Sequence, residues 1–191
     1  MAIYDWCILG LWLLFLAVWI ISSLGAKKSL RSRAWSRGIV VRLIVLLLVL
    51  VTFRLPGVSH GFRHATIFLA NRNQYLGIAG VALCALGIGL AIYARFYLGS
   101  NWGLPMTRRA NPELVTSGPY ALVRHPIYSG LLLAMIGSGL ALSVSWAIGL
   151  LIVGPYFIYS ARAEEQTMAD AFPQQYPAYR TRTKMFVPFV F

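Results

Sequence analysis

IYSGLLLAMIGSGLALSVSWAIGLLIVGPYFIY, residues 127–159, runs for 33 positions without one charged side chain. A helix needs about 20 mostly apolar residues to cross a bilayer, within a range of roughly 17–25. The block is too long for one crossing and short for two. Gly137, Gly139 and the Ser-Val-Ser stretch 143–145 near its middle predict a tight helical hairpin. Three more apolar runs lie upstream. Residues 3–24 carry only Asp5 near their start. Residues 39–53 carry Arg42 near their beginning and are closed by Pro56-Gly57. Residues 75–93 carry Gly77, Gly80, Gly87 and Gly89, whose small side chains permit close helix approach. Together these runs predict an all-α polytopic membrane protein with about five transmembrane helices, the last two a short hairpin.

Composition agrees. Of 191 residues 59% are hydrophobic and 12% charged, whereas soluble domains average roughly 45–50% and about 25%. A soluble domain, a disordered chain and a collagen-like chain are excluded. The net charge of +12 invites a nucleic-acid reading, but the basic residues sit in short clusters between apolar runs, and no nucleic-acid partner is expected. Cys7 and Cys84 lie in separate apolar runs, as buried small hydrophobes and not as a disulfide or metal site. The first run lacks the positive leading region of a signal peptide. Lys27, Lys28, Arg31, Arg33 and Arg37 follow it at once, as on the cytoplasmic side of a membrane helix. Five crossings from an outside N-terminus leave fourteen basic residues in cytoplasmic segments. Only Arg54, Arg63 and Arg72 fall in the outside loop. The expected orientation is N-terminus outside, C-terminus and active site cytoplasmic, with anionic headgroups attracted to the basic face. One membrane domain over 1–191 is expected, with helices 1–3 in 1–94 and a separate C-terminal portion in 95–191.

The chain has only five acidic residues, and four of them, Glu113, Glu164, Glu165 and Asp170, lie in that C-terminal portion. There too stand Leu114-Val-Thr-Ser-Gly-Pro-Tyr120 and Val123-Arg-His-Pro-Ile-Tyr-Ser-Gly130. Pro126 suits the first turn of a helix, where its missing N–H costs little, and His125 falls near the cap. Arg124 supplies a fixed cation and His125 a group that titrates near neutrality. With the N–H groups of a helix start they form an anion-binding corner, or else a snorkelling interfacial pair. The last helix ends in Arg162-Ala-Glu-Glu165. Neighbouring helical residues do not share a face. One glutamate would therefore face the bundle and bind a cation while the other pairs with Arg162, unless both are simply solvated. Opposite charges at two helix mouths on one membrane face make a pocket for a zwitterion.

Gly118-Pro-Tyr-Ala-Leu-Val-Arg-His-Pro-Ile-Tyr-Ser-Gly130, then Glu164-Glu165, then Phe172-Pro-Gln-Gln-Tyr-Pro-Ala-Tyr179, resembles the isoprenylcysteine carboxyl methyltransferase family and the related phospholipid methyltransferases. Arg95-Phe-Tyr-Leu-Gly-Ser-Asn-Trp102 is similar to a segment that bacterial members carry upstream. Pro112 and Pro173 depart from the pattern, which often has histidine and glycine there. The resemblance implies an integral membrane enzyme that uses S-adenosyl-L-methionine without a dinucleotide-binding domain. It implies a cofactor site including Leu114, Val115, Tyr120, His125, Pro126, Ile127, Tyr128 and Glu164, with Glu165 as the alternative carboxylate. Arg124 and His125 would hold the cofactor's carboxylate, and a glutamate its ammonium.

Methyl transfer is an in-line displacement, so much of the acceleration can come from positioning. A carboxylate acceptor needs a cation to hold it, for which Arg162 and Arg95 are the candidates. An amine acceptor needs a base, His125 or the non-ligand glutamate. A lipophilic acceptor entering sideways from the bilayer fits a membrane-embedded site. Two rival readings are an NADPH-dependent membrane reductase of the sterol or steroid type and a non-catalytic scaffold. The paired glutamates oppose a dinucleotide's phosphates, and the polar cluster opposes pure scaffolding. No metal site is expected: His60 and His64 read as solvated loop, with no carboxylate or thiol nearby. Residues 176–191, proline-broken and too short for a span, read as a cytoplasmic lid whose apolar end returns to the interface, or as a simple interfacial anchor.

Overall fold

The computed structural model describes residues 3–23, 29–30, 43–44, 47, 74–99, 108–109, 113–142 and 145–190. The expected second span, 39–53, lies outside them apart from Leu43, Ile44 and Leu47, which are helical. Also outside are Pro112, the 27–37 basic cluster, Arg54, Arg63, Arg72, His60 and His64. Five helices organise the rest: α1 Ile3–Ser23, α2 Gln74–Leu98, α3 Pro126–Ala141, α4 Ser145–Ala171 and α5 Tyr176–Arg182. A 3-10 turn, Gly118–Ala121, precedes α3. A two-residue antiparallel pairing joins β1 Ser29–Leu30 to β2 Arg108–Arg109.

Among the described residues three helices, Ile3–Ser22, Gln74–Leu98 and Trp146–Ala171, are long and apolar enough to span, and α3 is a shorter apolar helix. The chain is an all-α integral membrane protein. The hairpin break falls between α3 and α4, as the Ser-Val-Ser stretch predicts. α4, however, is not short: it runs 27 residues, continuing past the apolar block through both glutamates. The expected division at 94/95 falls inside α2.

α2 and α3 pack antiparallel through a small-residue seam of period seven. A Cβ on Gly80 would stand 2.5 Å from the Ala141 amide nitrogen, and one on Gly130 would stand 2.5 Å from the Gly87 carbonyl oxygen. Ala91 and Ala134 are fully buried in the same seam. Lipid tails are as apolar as leucine, so close backbone approach and van der Waals contact must supply the association. α1 lies against both helices, giving a shared core of Ile8, Phe15, Cys84, Ile88, Ala91, Ala134 and Ala141. Trp12 donates its indole N–H to Ser138 (3.1 Å) and stacks on Trp146 at 5.7 Å. Ser138 in turn donates to the Ala134 carbonyl, so this buried polar group is satisfied. Large apolar side chains such as Trp6, Leu13, Ile20, Ile78, Leu86 and Leu151 point outward, as lipid-facing surfaces require.

α1 and α2 run in the same direction. Tyr4 meets Gln74 and Gly77 at one end, and Arg95 bonds the Ser22 carbonyl at the other. The chain between them therefore starts at one end of the bundle and finishes at the opposite end.

Candidate functional site

The site is assembled at the bundle end where α2 and α4 finish and α3 begins. Gly118 starts the approach with φ +58°, a conformation glycine takes without steric cost. A Cβ there would also stand 2.5 Å from the Tyr97 ring. Tyr97 donates to the Ser117 hydroxyl (2.8 Å), and Tyr120 donates to the Ala94 carbonyl (3.3 Å). Both bonds hang the turn from the end of α2. Pro126 then occupies the first position of α3, with His125 as its cap residue.

Arg124 and His125 meet both glutamates of α4. Arg124 Nε stands 2.6 Å from Glu165 Oε1, and Arg180 Nε from α5 stands 3.6 Å from Glu165 Oε2. The His125 ring lies between the two carboxylates, its Nδ1 3.6 Å from Glu164 Oε2 and its Nε2 3.3 Å from Glu165 Oε1. Nε2 is buried and makes no hydrogen bond among the described residues, its approach to Glu165 being an ion-pair contact. Tyr128 donates to Glu164 Oε1 at 2.6 Å, and its hydroxyl lies 3.2 Å from the fully buried Ser160 hydroxyl. Phe157, Tyr128 and His125 stack in series, at 4.6 and 5.7 Å between ring centroids.

The two adjacent glutamates are thus unlike. Glu165 is 6% exposed at its side chain and held by Arg124 and Arg180 with His125 beside it; Glu164 is 29% exposed and stands at the rim. The expected pairing of a glutamate with Arg162 is not what the described residues show, since Arg162 is exposed on α4 and both carboxylates turn to α3.

Residues 183–186 complete the site in a way the sequence reading did not anticipate. The Arg124 amide donates to the Lys184 carbonyl (2.8 Å) and the His125 amide to that of Met185 (3.1 Å). The Arg124 guanidinium donates to the Thr183 carbonyl. Ser129 lies within hydrogen-bond reach of the Phe186 carbonyl (2.6 Å). Met185 and Phe186 are buried with Ala161 against Tyr128 and Phe157. The strap therefore occupies the Arg124 and His125 amides, which lie just ahead of the helix start. α5 supports it from outside: the Tyr179 hydroxyl donates to the Tyr120 carbonyl at 2.7 Å. Burial pushes the Tyr179 phenol up to about 12 and raises that of Tyr176 as well, with nearby Glu165 adding to the rise. Both phenols stay protonated across the physiological range.

Leu114 and Val115 lie half-buried in the extended stretch before the 3-10 turn, and Ile127 is half-buried in the first turn of α3. Arg95 is 3% exposed, with its guanidinium on the Ser22 and Gly99 carbonyls. It ties the ends of α1 and α2 together.

Residues 76–175, more than half of the chain, match the phospholipid methyltransferase family. The chain belongs to this family. The matched stretch contains all but the first two residues of α2, the 3-10 turn, α3, α4 and all four residues of the Arg124–His125–Glu164–Glu165 cluster. This phospholipid methyltransferase family member is 33% identical over 146 residues to the cobalt-zinc-cadmium resistance protein CzcN of Cupriavidus metallidurans, covering 73% of this chain and 61% of that protein. It is 29% identical to protein-S-isoprenylcysteine O-methyltransferase B of Arabidopsis thaliana, over 65% of this chain and 66% of the relative. To the human protein-S-isoprenylcysteine O-methyltransferase it is 31% identical, over 61% of this chain and 42% of the relative. The matches thus span between 42% and 66% of these relatives' lengths.

Proposed function

We propose that this chain transfers a methyl group from S-adenosyl-L-methionine to a lipophilic acceptor held in the bilayer. The acceptor is a carboxylate oxygen of the isoprenylcysteine kind or a lipid amine nitrogen. The observation that carries the reading is the meeting of His125 and Glu164 at the rim of one buried charged cluster, inside the region matched to a methyltransferase family. The residues suit a zwitterion. Glu164, partly exposed at the rim, suits an ammonium, and His125, whose buried Nε2 makes no hydrogen bond of its own, suits a polar group of the ligand. When bound, the cofactor supplies an electrophilic methyl group on a sulfonium.

Glu164 holds the ammonium, with Tyr128 fixing its carboxylate; His125 takes the cofactor's carboxylate. Arg124 and Glu165 act as the strut that keeps the strap, α3 and α4 in register. Leu114, Val115, Tyr120, Pro126 and Ile127 line the remainder of the cofactor site, as the family resemblance implies. Arg162, exposed at the end of α4, is the cation for an acceptor carboxylate. Arg95 is a positioning residue, because its guanidinium already holds two backbone carbonyls. The acceptor arrives laterally, since the α4 face above the site is apolar and outward-facing. The site end faces the cytoplasm and the N-terminus lies outside, because Arg95, Arg124, Arg162 and Arg180 all gather at that one end. The whole of 1–191 acts as one membrane domain.

The paired carboxylates disfavour the phosphates of a nicotinamide dinucleotide and so disfavour the reductase reading. The resistance relative is named for metals, but among the described residues no three His, Cys, Asp or Glu side chains converge to hold one. The test is transfer of labelled methyl from S-adenosylmethionine by purified protein in lipid, offered a farnesylated cysteine derivative and phosphatidylethanolamine in separate reactions. Label in either product supports the reading and names the acceptor class. Label in neither, from folded protein that binds the cofactor, overturns it.

A further inference from the structure

The strap that closes the site continues into a short turn whose surface faces away from the protein. The Val190 amide donates to the Val187 carbonyl at 3.2 Å, closing a tight turn over Pro188 and Phe189. Phe189 sits at φ +65°, which non-glycine residues adopt only occasionally and which here aims the ring outward. Val187, Phe189 and Val190 are 50%, 90% and 74% exposed. Three bulky apolar groups on a four-residue turn leave no use for water on that surface. The exposed cations Arg182 and Lys184 stand three to five residues before it in the chain. The Val123–Lys184 bridge and the Phe186 carbonyl then connect the turn to the helix mouth. An apolar aromatic tip with a basic rim, at the end of a transmembrane bundle, has the chemistry of an anionic bilayer interface.

We infer that the 187–190 turn docks into the headgroup region of the chain's own bilayer and that anionic lipids against Arg182 and Lys184 hold it there. The same contact seats the strap, because Phe186 lies one residue before the turn, its ring 5.9 Å from that of His125. Docking of the turn presses that ring over the site, and release of the turn loosens it. The bilayer surface is thereby a structural partner of the site, apart from any acceptor it delivers.

The test reads membrane contact directly and does not depend on methyl transfer. Val190→Cys, in a chain whose Cys7 and Cys84 are replaced by serine and alanine, carries a bimane label in nanodiscs of phosphatidylcholine with or without phosphatidylglycerol. Quenching by nitroxide lipids is compared with quenching by aqueous iodide. Strong lipid quenching in the anionic discs is expected. The ratio of docked to undocked label should fall about five-fold for each basic side chain removed in Arg182→Gln and Lys184→Gln. Phe189→Gly keeps the turn's backbone conformation and removes the ring, and should shift quenching toward iodide. Iodide quenching that dominates in both lipid mixtures would overturn the proposal. Lipid quenching indifferent to phosphatidylglycerol and to both substitutions would overturn the assignment of anionic headgroups.

Discussion

At the residue scale, the informative contrast is between Glu164 and Glu165. Their order in the sequence leaves open which of them faces the bundle, because about 100° of helix rotation separates neighbours and the hairpin break sets that rotation. The structure separates them: Glu165 is enclosed by Arg124, Arg180 and His125, and Glu164 stands at the rim with Tyr128. Removing one member of a buried ion pair strands its partner's charge, at a cost of about 3–5 kcal/mol. Glu165→Gln should therefore lower the thermal unfolding midpoint in detergent sharply. Glu164→Gln should leave it within a degree or two and impair ligand binding instead. Equal loss of stability in both variants would show that the two carboxylates are not divided in this way. That the charged side chains of α4 and the Arg-His-Pro segment gather at one end was legible, since four of five acidic residues and that segment lie in the C-terminal portion. The competition for the Arg124 and His125 amides was not, because it depends on backbone carbonyls some sixty residues away that no side-chain pattern marks.

At the element scale, the glycines of α2 were legible as a packing stripe, but their partners were not, since nothing in one helix names the face it meets. The structure pairs them with the small residues of α3 at a matching spacing of seven. Gly87 and Gly89 provide a test. A methyl on Gly87 would press into the Gly130 carbonyl at 2.5 Å, whereas one on Gly89 meets nothing within 4 Å. Gly87→Ala should cost about 1–3 kcal/mol through overpacking, and Gly89→Ala should be neutral or gain about 0.5–1 kcal/mol; unfolding midpoints of both variants check this.

The strap offers a second test at this scale. Ser129→Ala removes its bond to the Phe186 carbonyl, and Phe186→Ala removes the ring over His125. Each should weaken S-adenosylhomocysteine binding about ten-fold, on the order of one hydrogen bond or one buried contact, with Phe186→Tyr restoring most of it. α5 adds a pH signature. The Tyr179 phenol titrates near 10 when unfolded and at about 12 when folded, so the unfolded chain loses its proton first. Stability present below pH 10 should therefore decline between about pH 10 and 12, and Tyr179→Phe should flatten that decline.

At the scale of the whole molecule, membrane class followed from composition and run length alone, and the hairpin break from a cluster of small and polar residues. The length of α4 was legible only in part: the helix was expected to end at Glu165, and it runs on to Ala171 through Gln166, Met168, Ala169 and Ala171, residues that favour helix on their own but carry no membrane signal. The proposed orientation, N-terminus outside and site cytoplasmic, rests on the positive-inside balance. Cysteine placed at position 60 should react with a membrane-impermeant maleimide added outside intact cells, and cysteine at position 33 only after permeabilisation. The reverse pattern would invert the topology and place the site outside.

The central claim is that this bundle end binds an S-adenosyl ligand through Glu164. Calorimetric titration of the detergent-purified protein with S-adenosylhomocysteine, beside Glu164→Gln and a parallel titration with NADPH, tests it most directly. Saturable binding of S-adenosylhomocysteine alone is predicted, weakened about 10–100-fold in Glu164→Gln for the loss of one charged hydrogen-bond partner. Binding of NADPH in its place, or S-adenosylhomocysteine affinity unchanged by the substitution, would contradict it.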